Sequence, residues 1–276
     1  MGHLEMRNAF APMTPWHKGM LRFEMASLDS VKLKVFRAAI HYKELEVEFE
    51  KYFQTNPAKV VRQQEGTPDQ YIGKVEPKGP IPTRLPLIIG DCLQNLRSSL
   101  DYLVWELALA EKNTPGKDNM FPICSTDNSF KSQLGRGRLT GVHADAVAEI
   151  ESLQPFKLGN DFDKSILWVM DDLCNINKHR RILLTQLRGA SGTIDDRKTI
   201  NGKLWLHTEL PRVDRDTKVG PFPIVNGGQV QVNTQIIVFV AFDEGSAQNI
   251  EASNCLGGML NYVKNDVVPR FERFFV

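Results

Sequence analysis

The residues best suited to chemistry in this chain are Arg97 and Asp101, which stand four positions apart in the stretch from Gly90 to Leu107. Residues at this spacing are neighbours on a helix surface. An arginine among apolar residues needs a partner, because burying an unpaired charge is unfavourable. Two interpretations stay open. One is a structural ion pair that lets a half-buried arginine be tolerated, and the other is an arginine presented to a phosphate or carboxylate ligand.

A second polar cluster, residues 177–181, ends another apolar-periodic stretch and reads Asn-Lys-His-Arg-Arg. Its cations would interact favourably with the dipole at a helix C-terminus, which is the structural interpretation. Asn177 and Arg180 also continue the apolar stripe of that helix, so they are predicted to point inward and to need partners. Asp101, or Asp91, could supply one. The two stretches together predict a buried polar layer between two helices.

Few other patterns indicate chemistry. Asp171 and Asp172 are adjacent, and on a helix their side chains point in different directions, which argues against a two-carboxylate site. The histidines lack metal-ligand spacing, and no glycine-rich phosphate loop is present. The sequence therefore predicts neither a metal nor a cofactor.

Two long amphipathic stretches would position the polar residues. The stretch that carries Arg97 has apolar residues at helical spacing, namely Leu93, Leu96, Leu100, Leu103, Val104 and Leu107. An earlier stretch, Leu28 to Phe53, is predicted as the first helix, and its core-facing stripe is predicted to be Leu33, Phe36, Ile40 and Val47.

The remaining pattern predicts an α+β fold, with a helical core, a small N-terminal hairpin and a C-terminal antiparallel sheet followed by a helix. Strand signals lie at 59–62 and 71–75, around a turn at 66–69. Further helices are predicted at 143–153 and at 249–276. Another helix is predicted to begin at Ile166, after a cap at Asp161 or Asp163. Strand signals at 203–208 and 229–242, the latter after a turn at 226–228, form the predicted C-terminal sheet.

Residues 1–27 are predicted to be a loose lead-in and residues 28–276 a single domain. Within that domain, residues 28–184 would form the helical core, and residues 185–276 the sheet and last helix.

The composition is that of a chain with an apolar core: 42% of residues are hydrophobic, and the formal net charge is +1. This charge does not by itself demand a nucleic acid or an acidic partner. The four cysteines are scattered, which favours a reducing cytoplasm over a disulfide framework. No apolar run approaches the length of a membrane span, so no membrane partner is expected.

Four segments carry a resemblance to a widespread bacterial protein family that has no assigned activity. They are Ile89–Tyr102, Phe121-Pro122-Ile123, Leu153-Gln154-Pro155-Phe156 and Asn175–Arg180. Many members of that family carry histidine where this chain has Tyr102. The resulting Arg-x-x-x-x-His resembles the short signature of the HEPN (higher eukaryote and prokaryote nucleotide-binding) superfamily, whose helical members are often metal-independent ribonucleases.

This resemblance implies a HEPN-like helical core that binds a nucleotide or RNA, commonly as a homodimer. Arg97 would polarise the scissile phosphate, and the residue at position 102 would assist attack by the ribose 2′-hydroxyl. Tyrosine, with a reference pKa of about 10, is a poor base near neutrality. The resemblance therefore leaves two alternatives: an impaired member that only binds its ligand, or a nuclease that uses His179 as the base. The ligand contacts would be Asp101, Asn177, Lys178 and Arg180. The rival hypothesis is a non-enzymatic interaction or regulatory protein in which the polar layer around Arg97 is structural.

Overall fold

The computed structural model describes residues 26–64, 70–189, 199–200, 203–204, 218–223 and 237–275. This part is mostly helical with small antiparallel sheets, which confirms the predicted α+β class. Most of the predicted lead-in and the predicted turns at 66–69 and 226–228 lie outside it. The single-domain organisation stays a prediction, because residues 190–198 and 205–217 also lie outside it.

The α-helices of the described part are α1 (Asp29–Gln54), α2 (Arg84–Ala110), α3 (Asp127–Gly135), α4 (Ala144–Ser152), α5 (Ile166–His179) and α6 (Ala252–Tyr262). A 3₁₀ segment, Pro155–Lys164, connects α4 to α5. After α6 the chain stays helical, first as a π-helical turn at Val263–Val267 and then as a 3₁₀ segment at Val268–Phe274. Pro269 lacks the N–H that would continue an α-helix here.

The strands of the described part are β1 (Ala58–Gln64), β2 (Gln70–Pro77), β3 (Leu184–Gly189), β4 (Thr199–Ile200), β5 (Lys203–Leu204), β6 (Lys218–Pro223) and β7 (Ile237–Phe242). β1, β2 and β6 form one antiparallel sheet, β3 pairs with β7, and β4 pairs with β5. The predicted hairpin is confirmed as β1 and β2, whereas the C-terminal strands are divided among three small sheets.

Helix α2 lies at the centre of the core and packs against α1, α5 and α6. Its predicted apolar face is confirmed, since Leu93, Leu96, Leu100, Leu103, Val104 and Leu107 are all buried. Leucine dominates this face because it combines high helix propensity with a large apolar surface.

The predicted core stripe of α1 is wrong, because Leu33, Phe36, Ile40 and Val47 are exposed. The helix has a second apolar face, and it is this one that packs into the core: Val31, Val35, Ala38, Leu45, Phe49 and Tyr52. Val31 and Leu33 are two residues apart, about 200° around the axis, so burying one face exposes the other. Both faces have helical periodicity, and tertiary contacts decide between them.

The beginning of α5 also differs from the prediction. Neither Asp161 nor Asp163 caps the helix, because both belong to the preceding 3₁₀ segment. The capping position is Ser165, whose side chain makes no capping hydrogen bond. Asp161 instead accepts a hydrogen bond from the Lys164 ammonium at 2.9 Å.

Candidate functional site

Arg97 lies between α2, α5 and the segment around Phe121, and its side chain is only 12% exposed. Its Nε donates to Asp171 Oδ1 at 3.0 Å, its Nη1 to Asp101 Oδ1 at 2.6 Å, and its Nη2 to the Phe121 carbonyl at 2.9 Å. The Phe121 N–H in turn donates to Asp101 Oδ1 at 3.0 Å. All three guanidinium nitrogens therefore donate within the protein.

The electrostatic balance at Arg97 is set by its two carboxylate partners. Burial disfavours the charged guanidinium, but the charges and hydrogen bonds of Asp101 and Asp171 outweigh this, so the pKa of Arg97 is raised. One cation and two carboxylates give the cluster a formal charge of −1. An incoming phosphate would meet repulsion from both carboxylates at close range.

The network extends from Arg97 along α5. Asn175 Nδ2 donates to Asp171 Oδ2 at 3.2 Å, and Lys178 Nζ donates to Asn175 Oδ1 at 3.3 Å. Side chains from successive turns of α5 thus hold the carboxylate of Asp171, the second acidic partner of Arg97, in place. The predicted polar layer between the two helices is present, and it is built on Arg97 and Asp171.

Asp172 faces a different neighbour from Asp171, as predicted for adjacent helix positions. Its Oδ2 accepts hydrogen bonds from both the N–H and the hydroxyl of Ser246, each at 2.7 Å. Gly245 lies against the same carboxylate with φ of +66°. Asp172 therefore fastens α5 to the chain that follows β7.

Asn177 points inward as predicted, where it meets the backbone of α2 at Gly90. A Cβ placed on Gly90 would come within 2.6 Å of Asn177 Oδ1. Any larger residue at position 90 would have to push the two helices apart or displace the amide. Gly90 thus permits the close approach that brings Asp171 within reach of Arg97.

The predicted inward orientation of Arg180 is wrong, since its side chain is 54% exposed. Helix α5 ends at His179, and Arg180 has extended backbone angles, so the helical stripe does not continue to it. Its guanidinium forms an ion pair with Glu244, a residue buried beside β7, rather than with Asp101 or Asp91. Glu244 also accepts the Leu183 N–H at 2.6 Å.

The structure does not gather Arg97, Tyr102 and His179 into one site. Tyr102 is exposed beside α1, where the Lys34 ammonium lies 5.2 Å from the centroid of its ring. Tyr102 comes five helical positions after Arg97, which places their side chains about 140° apart. His179 is exposed eight residues after Asp171, about 12 Å along the α5 axis.

The cysteine thiols of the core are poor nucleophiles. Burial raises the pKa of Cys92 and of Cys174 to about 12, so neither is ionised appreciably near neutrality. Each thiol points at a backbone carbonyl, Cys92 at Ala38 and Cys174 at Leu93. These contacts indicate a packing role at the helix interfaces.

Within the described ranges, no three His, Cys, Asp or Glu side chains are grouped so that they could hold a metal ion. Over the same ranges, no helix combines the length and apolarity needed to cross a membrane.

Three groups that bind Arg97 or Arg180 are missing from the site residues predicted from sequence: Asp171, the Phe121 carbonyl and Glu244. Asp171 stands beside the apolar positions of its helix, so its pattern looks like that of a solvent-exposed acid. Phe121 contributes only backbone atoms, which no side-chain pattern marks. Glu244 approaches Arg180 through the pairing of β3 with β7, which depends on long-range contacts.

We compared the chain with protein-family models, with curated proteins and with solved structures, and none of them matches it.

Proposed function

We propose that this protein is a non-enzymatic interaction protein in which the polar network around Arg97 fixes the packing of α2 against α5. The observation that carries this proposal is that each of the three guanidinium nitrogens of Arg97 donates a hydrogen bond within the protein, to Asp171, Asp101 and the Phe121 carbonyl. An arginine held in this way positions helices, and the two carboxylates that hold it would repel a scissile phosphate that approached its remaining N–H groups.

Two further observations support this role. The residues that would act as bases, Tyr102 and His179, lie away from Arg97, and general acid–base catalysis requires hydrogen-bond reach to the reacting group. The Arg97 cluster also carries a formal charge of −1, which disfavours polyanions. Neither condition suits phosphoryl transfer.

The test is a cleavage assay on short labelled RNAs in the presence of a chelator. We expect the wild-type protein to leave the RNA intact, while a metal-independent ribonuclease run in parallel degrades it. Cleavage by the wild type that is lost in both Tyr102→Phe and Arg97→Lys would overturn the proposal and restore the nuclease hypothesis.

A second candidate function is RNA or nucleotide binding at the C-terminal end of α5. Lys178 and Arg181 are exposed there, as is Arg180 in its ion pair with Glu244, and a cluster of exposed cations is the usual electrostatic footprint for phosphates. This binding does not require Arg97. The HEPN resemblance supports it and also implies a homodimer.

Fluorescence anisotropy with a labelled single-stranded RNA tests this second function. We expect Lys178→Ala with Arg181→Ala to weaken binding and to reduce the salt slope of log K by about 1.4, since each lost phosphate contact on a single strand removes about 0.7. Lys131→Ala with Lys164→Ala, which removes exposed lysines elsewhere, is the control. Equal affinities for the two double variants would contradict binding at α5.

A further inference from the structure

We propose that the outer face of α1 is a self-association surface on which α1 of a second copy lies antiparallel. This inference rests on the proposed function, because it names a partner for an interaction protein. The surface consists of Leu33, Phe36, Ile40 and Val47, which we call the α1 stripe. It lies on α1, whereas the partners of Arg97 lie on α2, α5 and the Phe121 segment.

The α1 stripe is an apolar face without a covering element in the described part of the chain. Leu33 is 66% exposed and Phe36 63%, values far above those of the buried face of the same helix. The stripe runs from Leu33 to Val47, about 21 Å along the axis. Leu33, Phe36 and Ile40 follow one another at helical spacing, with Val47 two turns further on, and exposed apolar surface that is contiguous in this way from Leu33 to Ile40 marks interaction sites in folded proteins.

The charges of α1 identify a second copy as the occupant. Residues 29–41 contain three cations and one carboxylate, for a net +2, whereas residues 42–54 contain two cations and four carboxylates, for a net −2. A parallel pair of such helices would place like charges together. An antiparallel pair places the basic half of each helix against the acidic half of the other.

The positions of individual charges agree with one two-fold axis. In an antiparallel pair centred near Ile40, Leu33 meets Val47 of the second copy, and Ile40 meets its own equivalent. On one flank of the stripe, Arg37 of each copy then pairs with Glu44 of the other copy. On the other flank, Lys32 of each copy pairs with Glu50 of the other copy. Arg37 and Glu44 are separated by about two helical turns, and Lys32 and Glu50 by about five, so the members of each pair share a flank.

The charges needed for this pairing are available. Arg37 and Glu50 are exposed. Lys32 and Glu44 take part in ion pairs with Glu272 and Arg84, and both of those pairs lie at the surface. Surface ion pairs contribute little to stability, so these side chains can exchange partners when a second helix approaches. A two-fold interface of this kind is self-complementary, as closed dimers require.

The first test is the molar mass of the full chain by light scattering over a range of concentrations. We expect the wild type to have twice the chain mass, and Leu33→Ser with Phe36→Ser to raise the dimer dissociation constant by about thirtyfold or more, as loss of a central interface anchor does. Leu183→Ser, which alters a leucine exposed outside α1, is the matched control. A monomeric wild type, or a stripe variant that keeps the dimer mass, would overturn the proposal.

A charge exchange tests the antiparallel register. Lys32→Glu with Arg37→Glu makes both halves of α1 acidic, and Glu44→Lys with Glu50→Lys makes both halves basic. We expect each double variant to be monomeric alone and the two to form a heterodimer when mixed, with thermal melts showing that both are folded. Failure to associate on mixing would reject this register, and the RNA assays above are independent of either outcome.

Discussion

Replacing Arg97 by alanine is expected to lower the free energy of unfolding by about 3 kcal/mol, because removing one member of a buried ion network leaves uncompensated charge inside the protein. Asp101 and Asp171 would then lie close together without their shared cation. The Phe121 carbonyl would also lose its donor. Urea denaturation followed by circular dichroism measures the loss, and the m-value shows whether the unfolded state has changed.

The matched control for Arg97→Ala is Arg84→Ala, which removes an arginine of the same helix from a surface ion pair with Glu44. This control is expected to lose much less stability, because exposed pairs are screened by solvent. Adding Asp101→Asn and Asp171→Asn to Arg97→Ala should recover part of the loss, since the like charges are then gone. Losses of equal size in Arg97→Ala and Arg84→Ala would mean that Arg97 is not a structural residue.

The second large effect is expected at Gly245, where alanine should lower the free energy of unfolding by about 2–5 kcal/mol. The backbone has φ of +66°, a conformation that costs an L-residue about 1–2 kcal/mol. The added Cβ would also lie 2.7 Å from Asp172 Oδ2 and 2.8 Å from Ile176 Cδ1. Overpacking of this kind typically costs about 1–3 kcal/mol.

Two comparisons separate these contributions. Gly137 has a similar φ of +79°, and a Cβ added there would come no closer than 3.1 Å to another residue, at the Thr140 hydroxyl. Gly137→Ala should therefore show mainly the backbone term. Ile176→Val removes the Cδ1 atom, so Gly245→Ala combined with Ile176→Val should lose less than the sum of the two single changes. Strict additivity would show that the contact with Ile176 does not contribute.

The sequence by itself determined the elements that form from local signals. The leucine periodicity of α2 predicted its buried face, because one strong apolar face on a long helix has only one way to be buried. The hairpin of β1 and β2 likewise followed from two short strand patterns around a turn. The spacing of Arg97 and Asp101 predicted that they are neighbours on one helix and left open whether Arg97 is paired or presented to a ligand; in the structure the two form an ion pair.

Local patterns could not decide which of two helix faces is buried. Helix α1 is apolar on both sides, with Leu33 and Phe36 on the face predicted to be buried and Leu45 and Phe49 on the face that the structure buries. The structure buries the other side, which packs against α2 and α6, and Tyr42 and Tyr52 reach Ser253 and Gln186 there. Those partners are more than a hundred residues away in the chain.

The role of the polar residues was likewise decided by tertiary structure. The sequence showed that Arg97 needs a partner, but Asp171 and the Phe121 carbonyl reach it only when α5 and the loop pack on α2. It grouped Arg180 with an inward stripe, but the helix ends one residue earlier and turns that side chain toward Glu244. Residue types and local spacing follow from the sequence, whereas the balance of charge around Arg97 depends on contacts between distant segments.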